Sequence, residues 1–285
     1  MSERVAEARA RYAEKIRGLV SLRSESLFRG LATVPREAFV GPGPWKLMYG
    51  NQVGLDYTDT PDADPVHVYD NVLVALDPER RLNNGEPAAL LRWFDSLELR
   101  AGERFLHVGC GVGYYTAIAA FGVRPGGRVT GVEIDPELAA RARRNLEKDG
   151  DVEVVSGDGS ALAGRIFDAI YVNAGATEIV PTWLDSLAPG GRLLVPLTVG
   201  VTGMNLGVGW MLLVRRTGDD FTAEFRGPVG IYHCSGARTD AGDARLRRWL
   251  SGGAMPAGVR RLRRDRHRED ASCDLHGEGF CLSKP

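Results

Sequence analysis

Three glycines at alternate positions, Gly109, Gly111 and Gly113, interrupt an apolar stretch and restrict what this chain can fold into. They follow the run Phe105, Leu106, His107, Val108 and precede a helix-like segment that begins at Tyr114. The order reads as strand, tight loop, helix. A second apolar run, residues 128–134, leads into Glu133 and Asp135, with Pro136 placed to start the next helix. Such a unit sets backbone N–H groups and an acid at the carboxyl ends of neighbouring parallel strands, where open α/β sheets bind ligands.

The glycine spacing selects among those ligands. A dinucleotide fingerprint is G-x-G-x-x-G, its third glycine allowing close helix packing beside a pyrophosphate. Here the pattern is G-x-G-x-G, and Tyr114 stands where the dinucleotide pattern wants glycine. With Glu133 at the end of the next strand, the arrangement resembles the S-adenosylmethionine (SAM) loop of class I methyltransferases. The resemblance implies a cofactor site from Val108, Gly109, Cys110, Gly111, Gly113 and Tyr114, with Glu133 on the ribose hydroxyls and Ile134 beside it. The third strand ends in Gly157, Asp158 and Gly159, where that fold places an acid on the adenine amino group. Asn173, ending the fourth strand, is a candidate to line both the cofactor and the methyl-transfer position.

Composition excludes little but steers the rest. A formal net charge of -1 gives no global attraction to nucleic acid or membrane, and 44% hydrophobic with 26% charged residues is ordinary for a globular protein. The basic residues are nearly all arginine. With no long apolar run and no signal-peptide pattern, a cytoplasmic location is expected. Four scattered cysteines argue against a disulfide framework. In the tail, Cys273-x-x-His276-x4-Cys281 offers three soft ligands without a recognised zinc spacing or a clear fourth, so buried free thiols are the reading and no metal is expected.

Along the chain, residues 4–31 have the apolar spacing of one or two amphipathic helices, and 45–65 read as an irregular loop. Residues 66–76 read as a strand or strand pair, 83–87 as a turn, and 88–97 as a helix. Strands are expected at 152–162, ending in Gly157, Asp158 and Gly159, at 167–176, apolar up to Asn173, and at 192–198, 210–216, 221–227 and 229–233, with a helix near 181–187 and a turn at 188–191. The arginine-rich run 259–268 lacks interleaved aromatics, which favours a solvated helix face or edge strand over a nucleic-acid patch. The expected fold is a doubly wound, mostly parallel seven-stranded α/β sheet. Residues 1–98 would form a substrate cap, 99–235 the SAM core and 236–285 a C-terminal extension packed on it.

These residues also carry a family resemblance. VPREAFV (34–40), the glycine loop continuing as GYYTA, VEIDPELAARARRNL, the GDG turn, FDAIYVNAGA and LAPGGRLLVPL together resemble the protein-L-isoaspartate O-methyltransferase family over roughly residues 30–200. The resemblance implies methyl transfer from SAM to an aspartyl or isoaspartyl carboxylate of a protein or peptide, leaving S-adenosylhomocysteine. One departure stands out. Repair enzymes of that family carry T-I-S-x-P before the helix preceding the glycine loop, and its serine helps hold the substrate carboxylate; aligned on Pro87, this chain has Gly85 there. Asn83 and Asn84 are then candidate amide donors to the carboxylate, or simply turn formers. Two alternatives accompany this reading: a tailoring enzyme dedicated to one modified peptide, and a non-catalytic SAM-binding interaction protein. The sequence is silent on oligomeric state.

Overall fold

Amphipathic spacing at the amino end resolves into two helices, α1 (Glu3–Val20) and α2 (Glu25–Thr33), the second started by Ser24, whose side chain accepts from the Leu27 N–H. The computed structural model describes residues 3–49, 56–251 and 258–284. A short α3 (Glu37–Val40) follows, then strands β1 (Lys46–Tyr49), β2 (Thr58–Asp59), β3 (Val72–Asp77) and β4 (Leu82–Asn83), and α4 (Pro87–Leu97). The glycine-loop region gives β5 (Arg104–Val108), α5 (Tyr114–Val123), β6 (Arg128–Glu133), α6 (Pro136–Leu146) and β7 (Val152–Ser156). Beyond lie β8 (Phe167–Val172), α7 (Pro181–Asp185), β9 (Leu187–Gly200), β10 (Leu206–Thr217), β11 (Asp220–Tyr232) and α8 (Asp240–Ser251). Three short strands, β12 (Arg261–Arg263), β13 (Cys273–His276) and β14 (Cys281–Ser283), close the chain.

The chain divides into two units, one of Met1–Glu103, Cys110–Gly131 and Asp135–Ser156, the other of Arg104–Gly109, Val132–Ile134 and Gly157–Pro285. In the first, a four-stranded antiparallel sheet runs β2-β1-β3-β4. Helix α2 packs on α5 where Gly30 meets the Ile118 backbone, a Cβ there falling 3.0 Å from its carbonyl oxygen. Helix α4 buries Leu90, Leu91, Phe94 and Leu97, with Phe94 edge-on to Tyr115 of α5.

The centre of the first unit is a charge. Arg36, from the VPREAFV segment, is fully buried. Its guanidinium donates to the carbonyls of Val68 (2.8 Å), Asp70 (3.0 Å), Val72 (2.7 Å) and Gly85 (3.4 Å), between the rings of Tyr12 and Tyr114. Only a planar fork of donors satisfies four carbonyls at once. The stretch read as a strand from residue 66 is therefore two things. Pro65–Val68 is a 3-10 turn, because Asp64 caps the Val66 N–H and Pro65 fits the first position, and the strand begins only at Val72. The expected loop at 45–65 contains β1 and β2; residues 50–55 of that reading lie outside the described residues.

In the second unit β5, β8 and β9 are parallel, with Phe105 opposite Ala169 and Val108 opposite Val172. They are apolar on both faces, as covered parallel strands must be. Antiparallel β10 and β11 continue the sheet, and β12, β14 and β13 carry it past the seven strands expected; β12 falls in the run read as a helix face or edge strand, whereas β13 and β14 lie in a tail where no strand was expected. The two segments expected at 221–227 and 229–233 are one strand. Its pairing with β10 shifts register opposite Met211 and Leu212, and Pro228 lies beyond the β12 pairing at Phe221 and Thr222, so its missing N–H breaks no second ladder. The APGG turn survives as an excursion within β9, where the pairing with β8 jumps from Leu187 to Arg192 and Gly190 takes φ +74. Helix α8 is tied down by Asp243, which accepts from the Gly200 N–H at 2.6 Å and pairs with Arg238 and Arg247. The arginine-rich run supplies β12, which lies between β11 and β14 and is not the edge strand expected, with Arg261, Arg263 and Arg264 paired to Asp220, Asp265 and Asp185.

Two outcomes follow from these buried groups. Arg36→Leu removes the donors from four carbonyls and should destabilise the chain by about 3–5 kcal/mol, read as a lowered denaturant midpoint at unchanged slope; a midpoint within error of wild type would refute this role. His107, stacked between Phe105 and Tyr171, is held neutral by burial, its pKa lowered from 6.5 to about 3. Between those values the unfolded chain binds the proton and the folded chain does not, so stability is complete above the unfolded value and declines as pH falls toward the folded one. His107→Leu should flatten that acid limb in melts followed from roughly pH 7 down to roughly pH 4.

Candidate active site

The strand ends of the second unit bring together Val108, Gly109, Glu133, Ile134, Gly157, Asp158, Gly159 and Asn173. Gly109, at φ +74, donates its N–H to the Val132 carbonyl at 2.8 Å, and Gly157 donates to the Glu133 carbonyl at 2.9 Å. Gly159 has no room for a side chain, since a Cβ would lie 2.5 Å from Val108 Cγ1. That contact draws the GDG turn against the end of β5. Trp183 and Thr182 brace the same turn, donating to the carbonyls of Gly159 and Ser160.

The acids differ in setting. Glu133 is buried at the end of β6, whereas the next residue, Ile134, is a large apolar side chain left 53% exposed. An acid beside an open apolar surface suits a ligand with ribose hydroxyls and a flat base. Asp158 is exposed, and one of its carboxylate oxygens accepts from the Ser160 N–H at 2.9 Å. The turn Ser235–Ala237 comes up against it, so that a Cβ on Gly236 would lie 2.1 Å from Asp158 Oδ2. Burial, with the Asp158 charge second, pushes the neighbouring Cys234 thiol up to about 11. Nothing in the sequence pointed to residues 234–237.

Asn173 has a use of its own. Its Nδ2 donates to the Gly109 carbonyl at 3.1 Å, its Oδ1 accepts from the Tyr171 hydroxyl at 3.1 Å, and its backbone N–H donates to Val108. The amide therefore fixes the glycine turn, and its backbone carbonyl lies where a Cβ on Gly109 would come within 3.1 Å.

The rest of the glycine loop belongs to the first unit. Gly111 takes φ +56 with open space where a Cβ would stand, and Gly113 takes φ +89 with Leu146 Cδ1 2.6 Å from that position. Gly111 is thus required by backbone shape, Gly113 by shape and packing. Cys110 is buried against Gly131. The Tyr114 ring is fully buried, its hydroxyl 3.3 Å from that of Tyr12, which leaves its backbone as what it can offer a cofactor.

Turn 83–85 lies in this unit too. Asn83 Oδ1 accepts from the Gly85 N–H at 2.9 Å and its Nδ2 reaches the Tyr57 hydroxyl, so Asn83 builds the turn. Gly85 takes φ +76, a conformation serine adopts only with strain, and its carbonyl accepts from the Tyr115 hydroxyl at 3.0 Å and from Arg36. Asn84 is different. It is buried, and its Nδ2 has no hydrogen-bond partner among the described residues.

Residues 13–206 match the family model described as protein-L-isoaspartate(D-aspartate) O-methyltransferase. The chain belongs to this family. A protein-L-isoaspartate O-methyltransferase of Aeropyrum pernix is 36% identical over 196 residues, 67% of each chain, and one from Archaeoglobus fulgidus is 33% identical over 214 residues, 74% of this chain and 84% of that one. Among solved structures, one titled protein-L-isoaspartate O-methyltransferase overlays with TM-score 0.60 at 21% identity, over 84% of this chain and 69% of that one. A Plasmodium falciparum structure of the same description, in complex with S-adenosyl-L-homocysteine, gives TM-score 0.57 at 16% identity, over 79% of this chain and 97% of that one. Both share the class I methyltransferase fold. Family members are SAM-dependent methyltransferases, and the residues gathered here fit that cofactor: glycines at positive φ, a buried strand-end acid and an open apolar side chain.

Loss of the strand-end acid should register directly on the cofactor. Glu133→Ala is expected to weaken SAM binding by roughly ten- to a hundredfold, the range for a hydrogen bond to a charged group, in titration calorimetry. Gly236→Ala should also weaken it, through displacement of Asp158. Wild-type affinity in both variants would remove these acids from the site.

Proposed function

We propose that this methyltransferase transfers the SAM methyl group to a carboxylate oxygen of an aspartyl or isoaspartyl residue in a cytoplasmic protein or peptide, with residues 1–98 as the acceptor platform and 99–235 as the SAM-binding core. The observation that carries the reading is the strand-end group of Gly109, Glu133 and Asp158 in a chain of this family. The names of the relatives supply the acceptor class. Free cysteines are compatible with a reducing compartment. Among the described residues no helix is long and apolar enough to cross a membrane.

The chemistry asks little in acid-base terms. When bound, SAM supplies an electrophilic methyl on a sulfonium. A carboxylate is ionised at neutral pH and is already the nucleophile, so one C–O bond forms as one C–S bond breaks and no proton moves. What the chain's residues do is orient and exclude water. Asn84 is the acceptor-side donor in this reading. A buried amide nitrogen without a partner is costly unless a ligand satisfies it, and a carboxylate oxygen is the matching acceptor. It takes the place of the serine that Gly85 cannot be, because φ +76 disfavours any side chain there. Asn83 and Gly85 hold the turn that presents it.

Incubation with methyl-labelled SAM and an isoaspartyl peptide should give a base-labile methyl ester. Asn84→Leu should lower kcat/KM for the peptide by roughly ten- to a hundredfold at unchanged SAM affinity. If no carboxylate-bearing peptide accepts label while SAM binds normally, the proposal is wrong.

A further inference from the structure

The C-terminal extension gathers four side chains that the methyltransferase site does not use. The ligating atoms of His267, Cys273, His276 and Cys281 all lie within 4.8 Å of one another. His267 Nε2 is 3.4 Å from Cys273 Sγ, and His276 Nδ1 is 3.9 Å from the same sulfur. Zinc bonds of about 2.3 Å to sulfur and about 2.0 Å to nitrogen put the corners of a tetrahedron about 3.3–3.8 Å apart. The 3.4 and 3.9 Å pairs are close to that geometry, and pairs as wide as 4.8 Å would close by about 1 Å on binding.

The local fold explains how a motif without a familiar spacing produces the cluster. His276 and Cys281 are directly paired across the β13–β14 hairpin, so their side chains share a face. Cys273, three residues before His276, would fall on the opposite face of a regular strand. The register shift between Cys273 and Leu275 inserts one residue and returns it to the same side. His267 arrives from the connection between β12 and β13. Its other ring nitrogen, Nδ1, is 2.9 Å from the Asp265 carbonyl, the outer hydrogen bond that fixes a metal-binding imidazole with Nε2 toward the metal. The Asp270 N–H points at Cys273 Sγ at 3.4 Å, as a donor to a thiolate would.

We propose that His267, Cys273, His276 and Cys281 bind one structural zinc ion that clips the tail onto the sheet. Two sulfurs and two imidazole nitrogens are the ligand set and number zinc prefers, and with all four positions filled by protein no place is left for water or substrate. Binding replaces the two thiol protons, which pass to solvent, and involves no redox change. The reason for a clip lies in the strands themselves. β12, β13 and β14 have three, four and three residues, too short to hold an edge by pairing alone. The ion would join both strands of the last hairpin to the loop leaving β12, which pairs with β11.

Metal analysis of the purified full-length chain should find about one zinc per chain. Cys273→Ser and Cys281→Ser should lower it to background, and Cys234→Ala should retain it. Because ligand variants can lose the tail fold, wild-type protein stripped by chelation and titrated with cobalt(II) gives an independent readout. It should develop the visible bands of a tetrahedral site and a thiolate-to-cobalt charge-transfer band, saturating at one equivalent. Zinc at background in the wild type together with no such bands would overturn the proposal. So would full zinc occupancy in a Cys273→Ser, Cys281→Ser double variant, or a Cys273–Cys281 disulfide in protein kept reduced.

Discussion

A buried guanidinium whose two terminal nitrogens donate to carbonyls, with no carboxylate among its hydrogen-bond partners in the described residues, organises the amino-terminal unit. The fork of Arg36 fixes the backbone at Val68, Asp70, Val72 and Gly85, which come from a 3-10 turn, a loop, a strand and the turn before α4. Desolvating a charge costs several kcal/mol, and four carbonyl acceptors with two flanking rings offset it only if all are in place together. The interaction therefore acts as a register pin. It holds the 83–85 turn against α5, whose Tyr115 hydroxyl shares the Gly85 carbonyl. Asn84, the donor proposed above, gains its position from that pin, since its own side-chain nitrogen makes no bond within the described residues.

The second unit solves a different problem with smaller means. Strand ends must approach closely enough for one ligand to touch several of them, and here the approach is made by omitting side chains. Gly159 lets Val108 in, Gly109 lets the Asn173 backbone in, and Gly236 lets the Asp158 carboxylate in. Each is a steric requirement that alanine would violate. Asn173 then closes the arrangement by bonding at both ends of its amide, which turns a candidate catalytic group into a brace for the turn. Rigidity of this kind suits a reaction that needs alignment more than proton transfer.

What the sequence disclosed tracks how local each signal is. The glycine loop, the strand-end acids and α4 were legible because each rests on a short run whose backbone preference and tertiary role agree. The Asx turn at Asn83 was also local, although sequence left it level with Asn84 as a ligand donor; only burial separated the two. Arg36 lay in a motif recognised as a string, but its four acceptors span residues 68–85 and no spacing rule connects them. The segment 65–68 read as strand because its valines are β-branched, while Asp64 and Pro65 dictated a turn. His267 lies in an arginine-rich run, six residues before Cys273, an interval that matches no familiar ligand spacing.

That last omission shows how chain connectivity and chemistry diverge in the tail. By sequence, Cys273, His276 and Cys281 are three ligands with an awkward interval, and the bulge that corrects the interval exists only once β13 pairs with β14. The fourth ligand is supplied by a loop anchored through Arg263, which pairs with Asp265 just ahead of His267 and with Asp270 just ahead of Cys273. The arginines read as a charged surface thus have a second use, as struts that bring two short acidic turns together. A tail of three short strands can then become part of a sheet whose parallel centre does the cofactor work. Its segment 235–237 reaches Asp158, which gives residues beyond the family match a direct bearing on the site.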